Sequence, residues 1–178
     1  MAKTGTLVSE RLDLRPFDES FLTERYVSWL NDPVTVRYSE QRHHVHTLAT
    51  CRAYAASFTD SPNYFWAIVA HDTALGHIGN ISARVDTANC VSDLAIIVGD
   101  TAVRGHRYGL EAWERACRFL LEEAGMRKIT AGTMAINYPM LRIMRKCNMI
   151  EEGRRRAQFL VDGAEVDAVQ VALFAALS

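Results

Sequence analysis

The stretch from Val91 to Gly125 limits the possible folds more than any other part of the chain. An apolar run, Leu94-Ala95-Ile96-Ile97-Val98, leads into a loop carrying Gly99, Arg104, Gly105, Arg107 and Gly109. A long amphipathic segment follows, from about Tyr108 to Ala124. Trp113, Ala116, Cys117, Leu120, Leu121 and Ala124 make its apolar stripe, while Glu114, Arg115, Arg118, Glu122 and Glu123 face water. Gly125 is suited to a left-handed residue just past the helix end. The first turn of a helix leaves about four N–H groups unpaired, and the helix dipole adds partial positive charge there. Strand, glycine-bearing loop and helix are therefore suited to form an anion site for a pyrophosphate, with Arg104 and Arg107 as nearby cations; an ordinary helix start with two plain glycines and solvated arginines is the alternative. Neither a G-x-G-x-x-G dinucleotide fingerprint nor a Walker A loop is present.

The rest of the chain fits around that unit. Leu7 to Arg15 reads as one half-buried strand, with Leu12 and Leu14 on one face and Arg11, Asp13 and Arg15 on the other. Asp18 offers a helix cap, Phe21, Leu22, Tyr26, Trp29 and Leu30 recur at helical spacing, and Pro33 stops the helix. A second helix covers Thr47 to Phe58. Tyr64 to Ala70 and His77 to Arg84 read as a hairpin around the turn 71–76. Val91 to Val98 is a strand whose apolar run predicts burial on both faces. Lys128 to Met134 is a strand, and Asn137 caps a helix with Pro139 in its first turn, ending near Cys147. Glu151 to Val161 and Asp167 to Phe174 close the chain around Asp162-Gly163. The expected fold is α/β (α+β), with antiparallel hairpins first and a strand–helix–strand–helix stretch in the middle.

Composition narrows the function. A length of 178 residues suits a single domain spanning 1–178, and 49% hydrophobic and 23% charged residues are ordinary globular values. A net charge of -1 argues against a nucleic-acid partner. No run approaches the roughly 18 apolar residues of a membrane span. The start of the sequence lacks a signal-like apolar core. Cys51, Cys90, Cys117 and Cys147 are scattered without a Cys-x-x-Cys pair, which points to buried thiols in a reducing cytoplasm, not to zinc or redox chemistry. His43, His44 and His46 match no usual zinc spacing and read as polar loop, so no metal is expected.

Three motifs in order carry a resemblance. The run from Val103 to Ala112 resembles the acyl-CoA-binding motif of the GNAT superfamily, in which Arg or Gln is followed by two glycine-type positions and a helix. Asn137, Arg142, Lys146 and Gly153 stand at matching positions of that superfamily's downstream signature. Ser9 to Pro16 is similar to the first strand of its Rim-type branch, named for ribosomal-protein N-terminal acetyltransferases. Arg107 replaces a usual glycine; its backbone N–H still serves a phosphate if its φ is negative. Asn148 and Met149 replace a usual Gly-Phe, and Asn tolerates the left-handed region.

The resemblance implies a mostly antiparallel central sheet flanked by helices, and transfer of an acetyl group from acetyl-CoA to a primary amine by direct attack. Cofactor contacts would come from Leu94, Ile96 and Val98, splayed from the next strand, from Val103, Arg104, Gly105, Arg107, Tyr108 and Gly109, and from Asn137 and Arg142. The amine must lose a proton, which needs a base. Asp93 is the first candidate because it interrupts an apolar strand beside the cofactor segment; a solvated strand-edge carboxylate is the plain alternative. His77 is second, although such a histidine is more often packed. Glu40 is third. The tyrosine that many relatives use to protonate the leaving thiolate is missing at Ile143-Met144, leaving Tyr138 as a substitute.

The acceptor side is expected at Trp29, Arg37, Tyr38, Glu40 and Arg42. The Trp29–Arg42 stretch is similar to one in members that acetylate amino-sugar nucleotides, where Arg37, Arg42 and Tyr38 would meet a diphosphate or hydroxyls. A protein N-terminal α-amine, a polyamine or aminoglycoside, and a non-catalytic acyl-CoA-binding module are the alternatives. A small-molecule amine partner, without membrane and with a homodimer left open, completes the expectation.

Overall fold

Leu12 and Leu14 are fully buried, and the polar residues between them are not. That alternation places the first long strand over the main core. The computed structural model of the protein, which describes residues 5–176, divides the expected opening strand in two. β1 (Leu7–Val8) and β2 (Leu12–Pro16) pair antiparallel around a turn at Ser9–Arg11. The turn is held from outside. Glu111 accepts from the Ser9 hydroxyl at 2.7 Å, the Arg11 N–H at 2.7 Å and Arg11 Nε at 2.8 Å. This non-local clamp is invisible to strand periodicity.

Asp18 caps a 3-10 turn at Glu19–Phe21, and Thr23 caps α1 (Glu24–Asn31), so the expected helix begins later than its first apolar residue. A second 3-10 turn (Glu40–His43) leads to α2 (Leu48–Ala56), closed by a Thr47–Thr50 capping box. The remaining elements are β3 (Tyr64–Ala70), β4 (His77–Asp86), β5 (Val91–Val98), α3 (Tyr108–Arg118), β6 (Lys128–Met134), α4 (Tyr138–Lys146), β7 (Ile150–Val161) and β8 (Ala164–Phe174). α3 ends in a π-helical turn at Phe119–Glu123. Among the described residues, no helix is long and apolar enough to cross a membrane.

The strands form an eight-stranded sheet in the order β1-β2-β3-β4-β5-β6-β8-β7. All neighbours are antiparallel except β5 and β6, whose link runs through α3. The main core lies between the sheet and α3 and α4, around Trp66, Ile68, Ile81, Trp113, Leu120 and Met144. On the opposite face, α1 and α2 close a smaller cluster of Tyr26, Val27, Trp29, Leu30 and Cys51.

β5 departs from expectation. Its apolar run is not buried on both faces: Ala95 is exposed and Ile96, Ile97 and Val98 are only half-buried. The cause is topological. β5 pairs with β4 along its whole length, but with β6 only over Val91–Asp93 opposite Lys128–Thr130. Beyond that point the two strands diverge, and the apolar run borders open space.

Candidate active site

The divergence of β5 and β6 opens a gap through the sheet of about 400 Å³. Asp93 to Ile96 line one side, Gly132 to Met134 the other, with Trp113, Met140 and Met144 towards α3 and α4 and Tyr38, Ser39, Glu40 and Phe159 towards the opposite face. A second cavity of about 390 Å³, the chamber, lies under α1 and α2 against β3, β4 and β5. Gap and chamber share Ser39, Ala95 and Ile96, so they form one bent cleft.

At the α3 end the backbone is arranged for an anion. Thr23, Thr47 and Asn137 cap the other three α-helices with their side chains, whereas Arg107 at the start of α3 makes no such bond. The first-turn N–H groups of α3 are thus left without that partner and lie beside positive dipole charge. Gly105 has φ +81°, as the tight loop requires. Arg107 has φ +67°, so the negative φ on which its service to a phosphate was made conditional is not found. The arginine occupies the left-handed conformation that glycine adopts more readily, so the turn keeps its shape at a cost of roughly 1–2 kcal/mol. Asn148 likewise takes a positive φ of 57°, the conformation its side chain tolerates. Gly109 lies against β5 and α4: a Cβ there would meet Val98 Cγ2 at 3.3 Å and Ile143 Cδ1 at 3.5 Å.

Around this turn, Arg104 donates to Thr35 Oγ1 at 2.8 Å and Arg11 lies 4.6 Å from the Tyr108 ring centre. Val103 is buried in the main core. Arg142 is exposed on α4. Asn137 is occupied by structure: its Oδ1 accepts from the Met140 N–H at 3.3 Å and its Nδ2 donates to Thr133 Oγ1 at 2.9 Å. Buried Trp113 Nε1 borders the gap and has no hydrogen-bond partner among the described residues. An uncapped helix start, unpaired strand edges and an orphaned donor are the kinds of donor that a coenzyme A diphosphate and pantetheine arm would satisfy.

Asp93 stands at the last paired position before the gap. The cleft reaches it, yet partial desolvation by the walls pushes its carboxyl above the usual range, opposed by Thr130 Oγ1, which donates at 2.8 Å. A raised carboxyl pKa suits a proton acceptor working near neutrality. Glu40 also borders the gap, paired with Arg42 at 2.7 Å.

Other expected site residues lie elsewhere. His77 borders neither cavity; its ring sits among Phe21, Trp29, Phe17 and Tyr26. Burial lowers its pKa and keeps it neutral, despite hydrogen bonds to Asn80 and Gly79. Tyr138 is 70% exposed at the start of α4 and does not line the cleft, so its ring is held away from the gap. Trp29 is buried in the smaller core, its indole filling the space where a Gly99 side chain would stand. It supports the cleft without facing it. Arg37 is exposed, 5.5 Å from the Tyr38 ring centre. Sequence reasoning missed the chamber's Tyr26, Tyr54, Phe65, Asn80 and Ser82. The available signal was Asn80 and Ser82, two polar residues on one face of β4 amid Ile78, Ile81 and Ala83.

A family model described as an acetyltransferase (GNAT) domain matches residues 11–150. The chain belongs to the GNAT acetyltransferases. It is an acyl-CoA-dependent N-acetyltransferase, and acetyl-CoA is the donor that this family uses. No curated protein matches the sequence significantly. Solved structures resemble the fold at low identity. A GNAT-family acetyltransferase from Bacillus anthracis is 18% identical with a TM-score of 0.79, covering 95% of this chain and 98% of that one. RimL, a ribosomal L7/L12 alpha-N-protein acetyltransferase solved with coenzyme A, is 13% identical with a TM-score of 0.82, covering 96% and 98%. A spermidine N-acetyltransferase SpeG chimera from Vibrio cholerae and hSSAT is 16% identical with a TM-score of 0.76, covering 93% and 96%. In this GNAT fold the β5–β6 gap is bordered by Trp113 of α3 and by Asp93, and it shares Ser39, Ala95 and Ile96 with the chamber.

Proposed function

We propose that this N-acetyltransferase acts on the primary amine of a nucleotide-linked amino sugar, with Asp93 as the proton acceptor. The observation that carries the reading is the bent cleft, whose two arms meet at Ser39, Ala95 and Ile96. Acetyl-CoA entering from the α3 side would bring its thioester to that junction. Unpaired amides of β5 would polarise the carbonyl, and Asp93 would relieve the attacking amine of its proton. Leu94, Ile96 and Val98, with the backbone from Val103 to Gly109, would hold the donor.

The sugar is supported by the chamber's mixture of aromatic walls and neutral polar groups, which suits a ring that stacks and hydrogen-bonds. The Trp29–Arg42 segment, similar to that of amino-sugar acetyltransferases, supplies part of its rim. Arg37 is exposed and available to a diphosphate outside the chamber, whereas Arg42 is held by Glu40 and by the Ser39 and Leu160 carbonyls. Thiol release from acetyl-CoA with a panel of amines tests the proposal. Turnover with a nucleotide-linked 4-amino sugar and none with free peptides or spermidine is expected. Preference for a peptide α-amine would replace the sugar, and acetyl-CoA binding without turnover on any amine would replace the catalytic reading.

A further inference from the structure

Asn80 is only 3% exposed, on β4 in the middle of the sheet, and it lines the chamber. Its two amide atoms are not equivalent. His77 Nε2 lies 3.0 Å from both Gly79 O and Asn80 Oδ1. A carbonyl oxygen can only accept, so the bond to Gly79 requires the proton on Nε2, and that nitrogen can then face only an oxygen of Asn80. The histidine thereby fixes the orientation of the carboxamide. Asn80 Nδ2 is left without a hydrogen-bond partner among the described residues, and His46 Nε2, bordering the same chamber, is a second buried polar atom without one. An unmet buried donor is unfavourable by about 1–3 kcal/mol, a penalty that a bound acceptor atom would remove.

Two histidines, His44 and His46, are the basic residues that line the chamber. None of its lining residues is Asp, Glu, Lys or Arg. Burial raises the pKa values of Tyr26 and Cys51, so both remain neutral. A second ammonium placed there would find no carboxylate and would face an N–H donor of the same polarity. A phosphate would find no lysine or arginine.

We infer that the chamber receives the uncharged body of the acceptor, and that Asn80 Nδ2 selects it by donating to an oxygen on that body. Tyr54 and Phe65 supply aromatic wall, while the amine points to the junction at Ala95 and Ile96. A hydroxyl or ring oxygen of a sugar and a carbonyl oxygen of a peptide both offer the required acceptor. A polyamine does not. Asn80 is thus a specificity residue, and His77 is the positioning residue behind it. The inference rests on acetyl transfer in this cleft and is independent of the amino-sugar assignment.

Calorimetry in the presence of coenzyme A tests it with three probes: a methyl 4-amino-4-deoxyglycoside, an alanyl-alanine amide with a free α-amine, and spermidine. Wild-type protein should bind at least one oxygen-bearing probe more than tenfold tighter than spermidine, and which of the two binds identifies the source of the oxygen. Asn80→Leu should weaken that probe by about tenfold, the equivalent of one lost hydrogen bond to a buried donor. Asn80→Asp, which keeps the acceptor for His77 but exchanges donor for acceptor, should narrow the gap to spermidine. His77→Phe should reduce selectivity and His77→Gln, which retains a donor, should restore part of it. Coenzyme A affinity should be unchanged in all four variants, which also confirms their folding. Spermidine binding as tightly as the neutral probes, no binding of either neutral probe, or a ratio unaffected by Asn80→Leu overturns the inference. Loss of coenzyme A binding in the wild type would instead overturn the acetyl-transfer reading.

Discussion

Asp93 and Thr130 make opposed contributions that can be separated by single substitutions. Asp93→Asn should lower kcat/KM by about 10²–10⁴, the usual worth of a general base, without weakening acetyl-CoA binding. The same change should raise stability. Desolvation holds the folded-state pKa of Asp93 above its ordinary value, so the wild type is progressively penalised as pH rises through that folded pKa. The thermal stability gained by Asp93→Asn should therefore grow as pH rises from the unfolded-state pKa through the folded one and then level off, as melting across a pH series would show. Thr130→Val removes the hydrogen bond that lowers the Asp93 pKa, so the acid limb of the pH–rate profile should move to higher pH. An unchanged profile would mean that Asp93 is not the titrating base. Asp93 was conspicuous in the sequence as a charge in an apolar strand. Its Thr130 partner was not, because the two are brought together by parallel pairing across a helix crossover.

For the elements, the decisive units are the β5–α3 turn and the close approach of β4 to β5. Arg107→Gly should stabilise the protein by about 1 kcal/mol by relieving a left-handed non-glycine residue, partly offset by the greater freedom of glycine in the unfolded chain. Acetyl-CoA affinity should be maintained, since the N–H is retained. Chemical denaturation and calorimetry would check both. Gly79 presents the opposite case. A Cβ there would meet the Ile97 backbone, which cannot move without parting the strands, so Gly79→Ala should destabilise by about 1–3 kcal/mol. The α3 helix and its loop were readable because an amphipathic stripe and a glycine-rich start are local patterns. The β1–β2 turn was not, since it is held by Glu111 from a helix about a hundred residues later.

Across the molecule, that clamp joins the sheet's first edge to α3 and hence to the glycine-bearing turn before it. Burial works against the Glu111 carboxylate, but the Arg11 N–H, the Ser9 hydroxyl and the Arg11 guanidinium outweigh it and hold its pKa below the ordinary value. The stability it contributes is thus present above the unfolded-state pKa and lost as pH falls through the lower folded value. Glu111→Gln should lower stability at neutral pH by about 1–3 kcal/mol and flatten the acid side of the stability curve. Equilibrium unfolding at neutral and acid pH would read both effects; parallel curves for the two proteins would refute the clamp's electrostatic role.

The sequence by itself determined most element types, the glycine-bearing helix start and the family, because each depends on residues close together along the chain. Tertiary structure alone decided which apolar residues would be core and which would line a cleft. Leu94 to Val98 looked like a buried strand, and only the divergence of β6 left it bordering open space. Trp29 looked like a substrate contact and became packing, whereas Asn80 looked unremarkable and became a buried donor facing a cavity. Hydrophobicity records a residue's preference for leaving water. It does not record whether protein or ligand will take the water's place, and that depends on strand pairing set by distant parts of the chain.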